Sequence, residues 1–107
     1  MASAYKNAKV DLTSTDITML YTCPSVTTAI VTSIIVSEDS GNADTITVTL
    51  TNAAAAIFSL FKVKAVSANT TVELLTRPLV VGEAEVLKVT AATGGRLHVV
   101  ASLLELS

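Results

Sequence analysis

The 107-residue chain has little of what catalysis, cross-linking or metal binding requires: one cysteine, one histidine and no tryptophan. A single cysteine excludes a disulfide within the chain, and one cysteine with one histidine is too few for a structural zinc site. Charged residues make up 15% of the chain and the net charge is −2, whereas nucleic-acid binding relies on a basic surface. We therefore expect no cofactor, no structural zinc and no nucleic-acid partner.

Charge is also missing from two long stretches, residues 17–37 and 45–61, which raises the question of a membrane span. The first stretch contains five threonines, three serines and Pro24, so it lacks the continuous apolar run that a spanning helix needs. The second stretch alternates threonine with apolar residues, which is typical of a strand. We predict no contact with a membrane.

The first residues of the chain do not match a secretory signal. Lys6 and Lys9 could begin one, but Asp11 and Asp16 follow where an apolar segment should be. We therefore expect the protein to be made in a cytoplasm and to stay there until it is assembled or released.

What the chain has in excess is threonine, alanine, valine and leucine, with 16, 15, 14 and 12 copies. In Thr45–Thr51, the apolar residues Ile46, Val48 and Leu50 alternate with four threonines. Because neighbouring residues of a strand point to opposite sides, this segment predicts a half-buried strand with a hydroxyl-lined outer face. The β-branched threonines and valines favour strands over helices throughout the chain.

Similar runs recur along the chain and are separated by turn signals such as Gly94-Gly95. We predict strands over residues 17–22, 28–37, 45–51, 57–66, 72–76, 85–92 and 96–106. Seven to eight short strands at this spacing indicate an all-β fold, an antiparallel β-sandwich of the jelly-roll-like kind. Residues 13–107 are predicted to form this single domain, and residues 1–12, which show no clear period, an N-terminal arm ordered on assembly or a frayed terminus.

Two residues could carry nucleophilic or acid–base chemistry. His98 is the one imidazole and lies in the last predicted strand, on the face opposite Leu97, whereas Cys23 precedes Pro24 at a strand end. The chain has no G-x-S-x-G elbow, and nothing near Cys23 in the sequence would stabilise a thiolate. We predict that the protein is not an enzyme, that His98 faces solvent or an interface, and that Cys23 is a small buried residue.

The densest polar segment is the turn over residues 38–44. Asp39, Asn42 and Asp44 offer the hard oxygen ligands that calcium prefers, although their order does not match an EF-hand loop. A solvated hairpin turn is the simpler interpretation. A weak cation site or a glycan-binding loop is the alternative.

Three segments, taken in order, resemble the small virion proteins of tailed bacteriophages, especially marine and cyanobacterial ones. Residues 20–31, LYTCPSVTTAIV, are similar to the family pattern L-Y-T-C/V-P-x-x-x-T-A-x-V. Residues 74–81, LLTRPLVV, resemble its L-L-x-x-P-L-V-L stretch, and residues 97–107, LHVVASLLELS, resemble its V-x-V-S-x-L-E-I-S ending. The resemblance covers residues 17–107, with two departures: GEAE replaces the usual Gly-Asp at residues 82–85, and the alanine run at residues 53–56 stands where relatives are more polar.

The resemblance implies a β-sandwich structural subunit of a phage particle and brings no catalytic residues with it. Our first hypothesis is a capsid decoration (cement) protein, because the chain is one compact domain without a fibre stalk. The major capsid protein would then be its partner, and the virion its location after assembly in the host cytoplasm. A neck, tail or fibre-associated subunit is the alternative.

Two of the predicted strands, over residues 28–37 and 98–106, are apolar on both faces, which indicates that one of those faces contacts another subunit. The candidate interface residues are Ile30, Ile34, Ile35, Val100, Leu104 and Leu106. We predict a closed homo-oligomer, and a trimer as its size.

Overall fold

A computed structural model describes residues 3–107 and shows two antiparallel sheets packed face to face, which confirms the predicted all-β sandwich. Within those residues there are nine strands, two more than the seven segments marked in the sequence. Their bounds are β1 Ser3–Leu12, β2 Thr18–Thr22, β3 Thr28–Glu38, β4 Asp44–Thr51, β5 Ile57–Val66, β6 Thr71–Glu73, β7 Leu79–Val81, β8 Val86–Ala91 and β9 Leu97–Leu106. The described part of the chain contains no helix long and apolar enough to cross a membrane.

The five-stranded sheet has the order β1-β9-β3, and both β6 and β7 pair with the far side of β3. The four-stranded sheet has the order β2-β8-β4-β5. The long strand β9 is therefore flanked on both sides, by β1 and by β3, and it forms the centre of its sheet.

The core lies between the sheets and consists of the inward-facing residues that the alternation of the sequence predicts. The inward residues of β9, β8 and β4 are all 2% exposed or less: Leu97, Val99, Ala101, Leu103, Leu87, Val89, Ala91, Ile46 and Val48. Full burial of a leucine or valine side chain stabilises a fold by roughly 1.5–3 kcal/mol relative to leaving it in water. These three strands therefore supply much of the driving force for folding.

In strand β3 the residues that face the core switch from odd-numbered to even-numbered positions part-way along the strand. Ala29 and Val31 point into the core before Thr32, and Ile34 and Val36 point into the core after it. The pairing of β3 with β9 shifts register between Val31 and Ser33, so one extra residue is inserted there as a β-bulge. The bulge allows an eleven-residue strand to keep apolar residues in the core on both sides of it.

Glu73, in β6, holds this bulge in place. Its carboxylate accepts the backbone N–H of Ile34 at 2.8 Å and the hydroxyl of Ser33. The hydroxyl of Thr32 donates to the carbonyl of Ser102 on β9 at 3.2 Å. Polar groups that the irregular pairing would otherwise leave without partners are thereby satisfied.

The N-terminal segment differs from the arm predicted for residues 1–12. Ser3–Leu12 forms β1, which pairs with β9 along its whole length. Only Leu12 is fully buried, and Ala8 and Val10 are partly buried. The second half of this strand does alternate, since Ala8, Val10 and Leu12 face the core between polar residues, but residues 3–7 are all exposed and their order comes from pairing with β9, which the sequence does not reveal.

We expect Ile34→Ala to destabilise the fold by about 2–5 kcal/mol, because it leaves a cavity in a fully packed core. The matched control is Ile17→Ala, the same substitution at a side chain that is 71% exposed, which should cost about 0.5 kcal/mol or less. Urea denaturation of both variants measures the difference. Equal costs would show that the bulge does not turn Ile34 into the core.

Candidate functional site

The outer face of the five-stranded sheet brings apolar residues of four strands into one row. Directly opposed residues on neighbouring antiparallel strands share a face of the sheet. Tyr5 on β1 lies opposite Leu104 on β9, Leu104 lies opposite Ile30 on β3, and Ile30 lies opposite Val80 on β7. We call Tyr5, Leu104, Ile30 and Val80 the apolar row. Tyr5 is 86% exposed and Val80 58% exposed, whereas Leu104 and Ile30 are half-buried.

A second, shorter apolar pair runs parallel to this row. Val100 on β9 lies opposite Ile35 on β3, with Lys9 beyond Val100 on β1 and Glu73 beyond Ile35 on β6. A polar strip containing Asn7, Ser102 and Ser33 separates the pair from the apolar row. The outer face is therefore apolar across its middle and carries opposite charges at its two edges.

Five of the six interface candidates lie on this outer face. Ile30, Leu104, Ile35 and Val100 have just been placed there, and Leu106 lies opposite Thr28 at the end of β9. The sixth, Ile34, is fully buried in the chain's own core. The candidates were taken from both faces of this strand, and the bulge at Thr32 decides between Ile34 and Ile35 by turning Ile34 into the core and Ile35 outward.

The structure adds two residues to this face that the sequence did not single out. Tyr5 falls in the segment predicted as an arm, and its position depends entirely on pairing with β9. Val80 lies in β7, a three-residue strand that was not among the predicted ones. The run of Leu79, Val80 and Val81 after Pro78 is the one signal that could have indicated it.

One end of the same face is polar and centres on His98. Its Nε2 lies 3.1 Å from Oδ1 of Asp11 on β1, and its Nδ1 lies 3.6 Å from Oδ2 of Asp39 in the turn after β3. All three side chains are substantially exposed. When protonated, the imidazole can tie β1 and the turn to β9 through two ion pairs.

The turn over residues 38–44 is built around the carboxylate of Glu38, which is 2% exposed. That carboxylate accepts the backbone N–H groups of Ser40 at 2.9 Å, Gly41 at 3.1 Å and Asn69 at 3.1 Å, and also the Ser40 hydroxyl. Burial alone would raise the pKa of Glu38, but the hydrogen bonds outweigh it and lower the pKa to about 2. One charged side chain therefore joins this turn to the turn before β6.

The three candidate cation ligands in this turn face different partners. Asp44 accepts the backbone N–H groups of Thr45 at 2.8 Å and Thr93 at 3.2 Å, and Asp39 lies beside His98 as described. Asn42 donates its side-chain amide to the carbonyl of Ser40 at 3.5 Å. No group of three or more histidine, cysteine, aspartate or glutamate residues within 3–107 is arranged to hold a metal ion.

The groups that could support covalent or acid–base chemistry elsewhere are engaged in structural contacts. The thiol of Cys23 is buried and donates to the carbonyl of Thr27 at 3.3 Å, and burial raises its pKa, which disfavours the nucleophilic thiolate. Glu105 accepts hydrogen bonds from Lys6 at 2.8 Å and from the hydroxyl of Tyr21 at 2.5 Å. Hydrogen bonds from Lys6 and then from Tyr21 lower the pKa of Glu105, whereas burial and the bond to Glu105 raise that of Tyr21.

Comparison with known proteins returns likeness of fold only. No family model and no curated protein matches the chain. Among solved structures, it is similar to a chain of the Bacillus endospore appendages, which are disulfide-linked pili, with a TM-score of 0.58 and 7% identity over 98% of this chain and 88% of that chain. A chain of infectious bursal disease virus, Gt strain, matches with a TM-score of 0.46 and 8% identity over 98% of this chain and 30% of that one. The first likeness shows a shared sandwich fold, and the second is too distant to support an argument.

We expect Glu38→Gln to show a pH-dependent loss of stability. Because the pKa of Glu38 is lower in the folded state than in the unfolded state, its charge stabilises the fold fully above about pH 5. That contribution is lost as the pH falls towards about 2.

Thermal unfolding of the wild type and Glu38→Gln, followed by circular dichroism between about pH 2 and pH 7, measures this effect. The two melting temperatures should differ most at neutral pH and should converge in acid. Asp16→Asn, a charge change in an exposed turn, serves as the control. A difference between wild type and Glu38→Gln that does not change with pH would contradict the role given to this carboxylate.

Proposed function

We propose that the protein is a non-enzymatic structural subunit of a larger assembly and that the outer face of its five-stranded sheet contacts other subunits. The apolar row is the single observation on which this rests. Four apolar side chains from four strands line up across an exposed sheet face, and two of them are more than half exposed. Contiguous apolar surface of this kind is typical of protein–protein contacts rather than of a surface that stays in water.

The use of the carboxylates supports the same conclusion. Glu38, Glu73 and Glu105 each accept at least two hydrogen bonds from the chain itself, and the pKa of each is lowered. Carboxylates held in this way are ionised and fully occupied, unlike the carboxylic acids with raised pKa that serve in general acid catalysis. Their function is to maintain turns and strand pairings.

Within this class we favour a capsid decoration (cement) protein of a tailed phage, on the basis of the resemblance over residues 17–107. Such a subunit needs one surface for its own copies and another for the shell. The outer face of the four-stranded sheet offers the second surface, because Thr47 and Thr49 on β4 and Thr90 on β8 point outward there. Its partner would be the major capsid protein, and it would act mechanically by joining neighbouring capsomers.

The subunit would work as a homo-oligomer, and we propose a trimer. Three copies whose apolar rows face a common axis would remove those rows from water and would leave the threonine-lined faces pointing outward. A closed symmetric arrangement of this kind buries the same surface on every copy, so no apolar row is left exposed.

We expect light scattering after size-exclusion chromatography to give the mass of a homo-oligomer whose smallest unit is a trimer, about three times 11.1 kDa. Leu104→Lys should abolish the trimer, because a lysine in the middle of the apolar row would bring a charge into the contact. Thr90→Lys, on the outer face of the other sheet, should leave the mass unchanged.

Circular dichroism checks that both variants keep the strand content of the wild type. A wild type that is monomeric at micromolar concentration would contradict self-assembly through this face. A trimer that Leu104→Lys leaves intact would assign the three-fold contact to another surface.

The location on the particle requires a separate experiment. We expect immunogold labelling of purified particles to place the protein on the capsid shell, and particle mass spectrometry to detect it in many copies. Label confined to the neck, tail or fibres would contradict the decoration role and would support the alternative subunit.

A further inference from the structure

The sandwich has four sheet edges, and three of them are unsuited to pairing with another chain. One edge of the five-stranded sheet consists of β6 and β7, which have three residues each and are separated by a segment containing Pro78. In the four-stranded sheet, β2 has five residues and a register shift. The other edge strand, β5, has ten residues, but its pairing with β4 shifts register twice and Val63 has a φ of 53°. Short strands, bulges and proline are the usual means of preventing edge-to-edge association.

The fourth edge, β1, has none of these features. Lysines can also discourage edge pairing, and of the two in β1, Lys6 is held by Glu105 of its own chain at 2.8 Å, which leaves Lys9. It has ten residues, contains no proline and pairs with β9 in one uninterrupted register. The side chains of residues 3–7 are all exposed, so none of the residues that the structure describes covers them. Its outward edge is therefore a long, regular row of backbone N–H and C=O groups that can accept another strand.

We propose that β1 pairs antiparallel with β1 of a second copy about a two-fold axis at Asn7, so that two five-stranded sheets become one continuous sheet. Directly opposed residues must lie on the same face of the sheet, and successive residues of a strand alternate between faces. The two-fold axis must therefore pass through a residue, because an axis between two residues would pair residues from opposite faces. Axes at Lys6 or at Lys9 would place identical lysines opposite each other, and such like-charge pairs are unfavourable. Axes nearer either end of β1 would pair only about half of the strand.

Axes at Asn7 and at Ala8 remain, and side-chain chemistry favours Asn7. In that register Tyr5 lies opposite the partner's Lys9, which places an aromatic ring beside a cation. Asn7 lies opposite the partner's Asn7. With the axis at Ala8, Tyr5 would lie opposite Asp11, whose carboxylate is already 3.1 Å from His98. The Lys9 ammonium donates one long, exposed hydrogen bond, to the Asn7 side chain at 3.4 Å, and makes no ion pair with any residue in the range 3–107, so it is available for the ring.

This edge contact uses surface outside the middle of the apolar row, so it adds a second interface to the proposed function. If the apolar rows join copies around a three-fold axis, which rests on that proposal, the two-fold contact would link one such group to the next. A subunit with both contacts can extend into a continuous net, which is the geometry that a protein joining neighbouring capsomers needs.

Cysteine cross-linking tests the register directly, because the one native cysteine, Cys23, is buried. In the proposed pairing, Asn7→Cys places two thiols opposite each other within reach of a disulfide. Tyr5→Cys and Lys9→Cys should not cross-link to themselves, but an equal mixture of the two variants should cross-link. We expect oxidised Asn7→Cys to give about tenfold more disulfide-linked dimer on a non-reducing gel than Tyr5→Cys alone.

Cross-linking at Asn7 together with the Tyr5–Lys9 mixture would support the proposal. Equal cross-linking of all three single variants, or none at Asn7, would overturn it, as would self-cross-linking of Ala8→Cys in preference to Asn7→Cys. Asn7→Cys combined with Leu104→Lys separates the two contacts: this variant should still cross-link, because the edge does not depend on the apolar row. If Asn7→Cys does not cross-link but still forms the trimer, the edge contact is overturned and the proposed function stands.

Discussion

The pairing of β3 with β9 is the interaction on which the rest of the structure depends. β9 also pairs with β1, and β3 also pairs with β6 and β7, so the whole five-stranded sheet is assembled on these two strands. Their inward residues form one wall of the core, and their outward residues form the middle of the apolar row. Core and candidate interface are thus opposite faces of one ladder, and a shift of one residue in its register would exchange them.

Three acidic residues help to hold this framework together. Glu73 reaches from β6 to the bulge in β3, Glu38 joins two turns, and Asp44 joins the start of β4 to the turn before β9. Each carboxylate accepts backbone N–H groups that would otherwise lack partners. These three carboxylates are therefore structural.

The sequence allowed prediction of the parts of the fold that depend on local alternation. β4, β8 and β9 have the predicted bounds within one or two residues, and their predicted inward faces form the core. The bulge in β3 was not predicted, because it is held by Glu73, which is far away in the sequence, and the sequence could therefore not tell which of Ile34 and Ile35 faces outward. β1 was missed for a related reason, since its order comes from β9, and Tyr5 was missed with it.

A structure of the assembled protein, obtained by cryo-electron microscopy of the purified oligomer or of the intact particle, would test the central claim most directly. The account predicts that Leu104 and Ile30 lie between subunits, excluded from water, on every copy. An assembly in which this outer face contacts only solvent, and in which the subunits meet elsewhere, for example through the turn over residues 38–44, would contradict it.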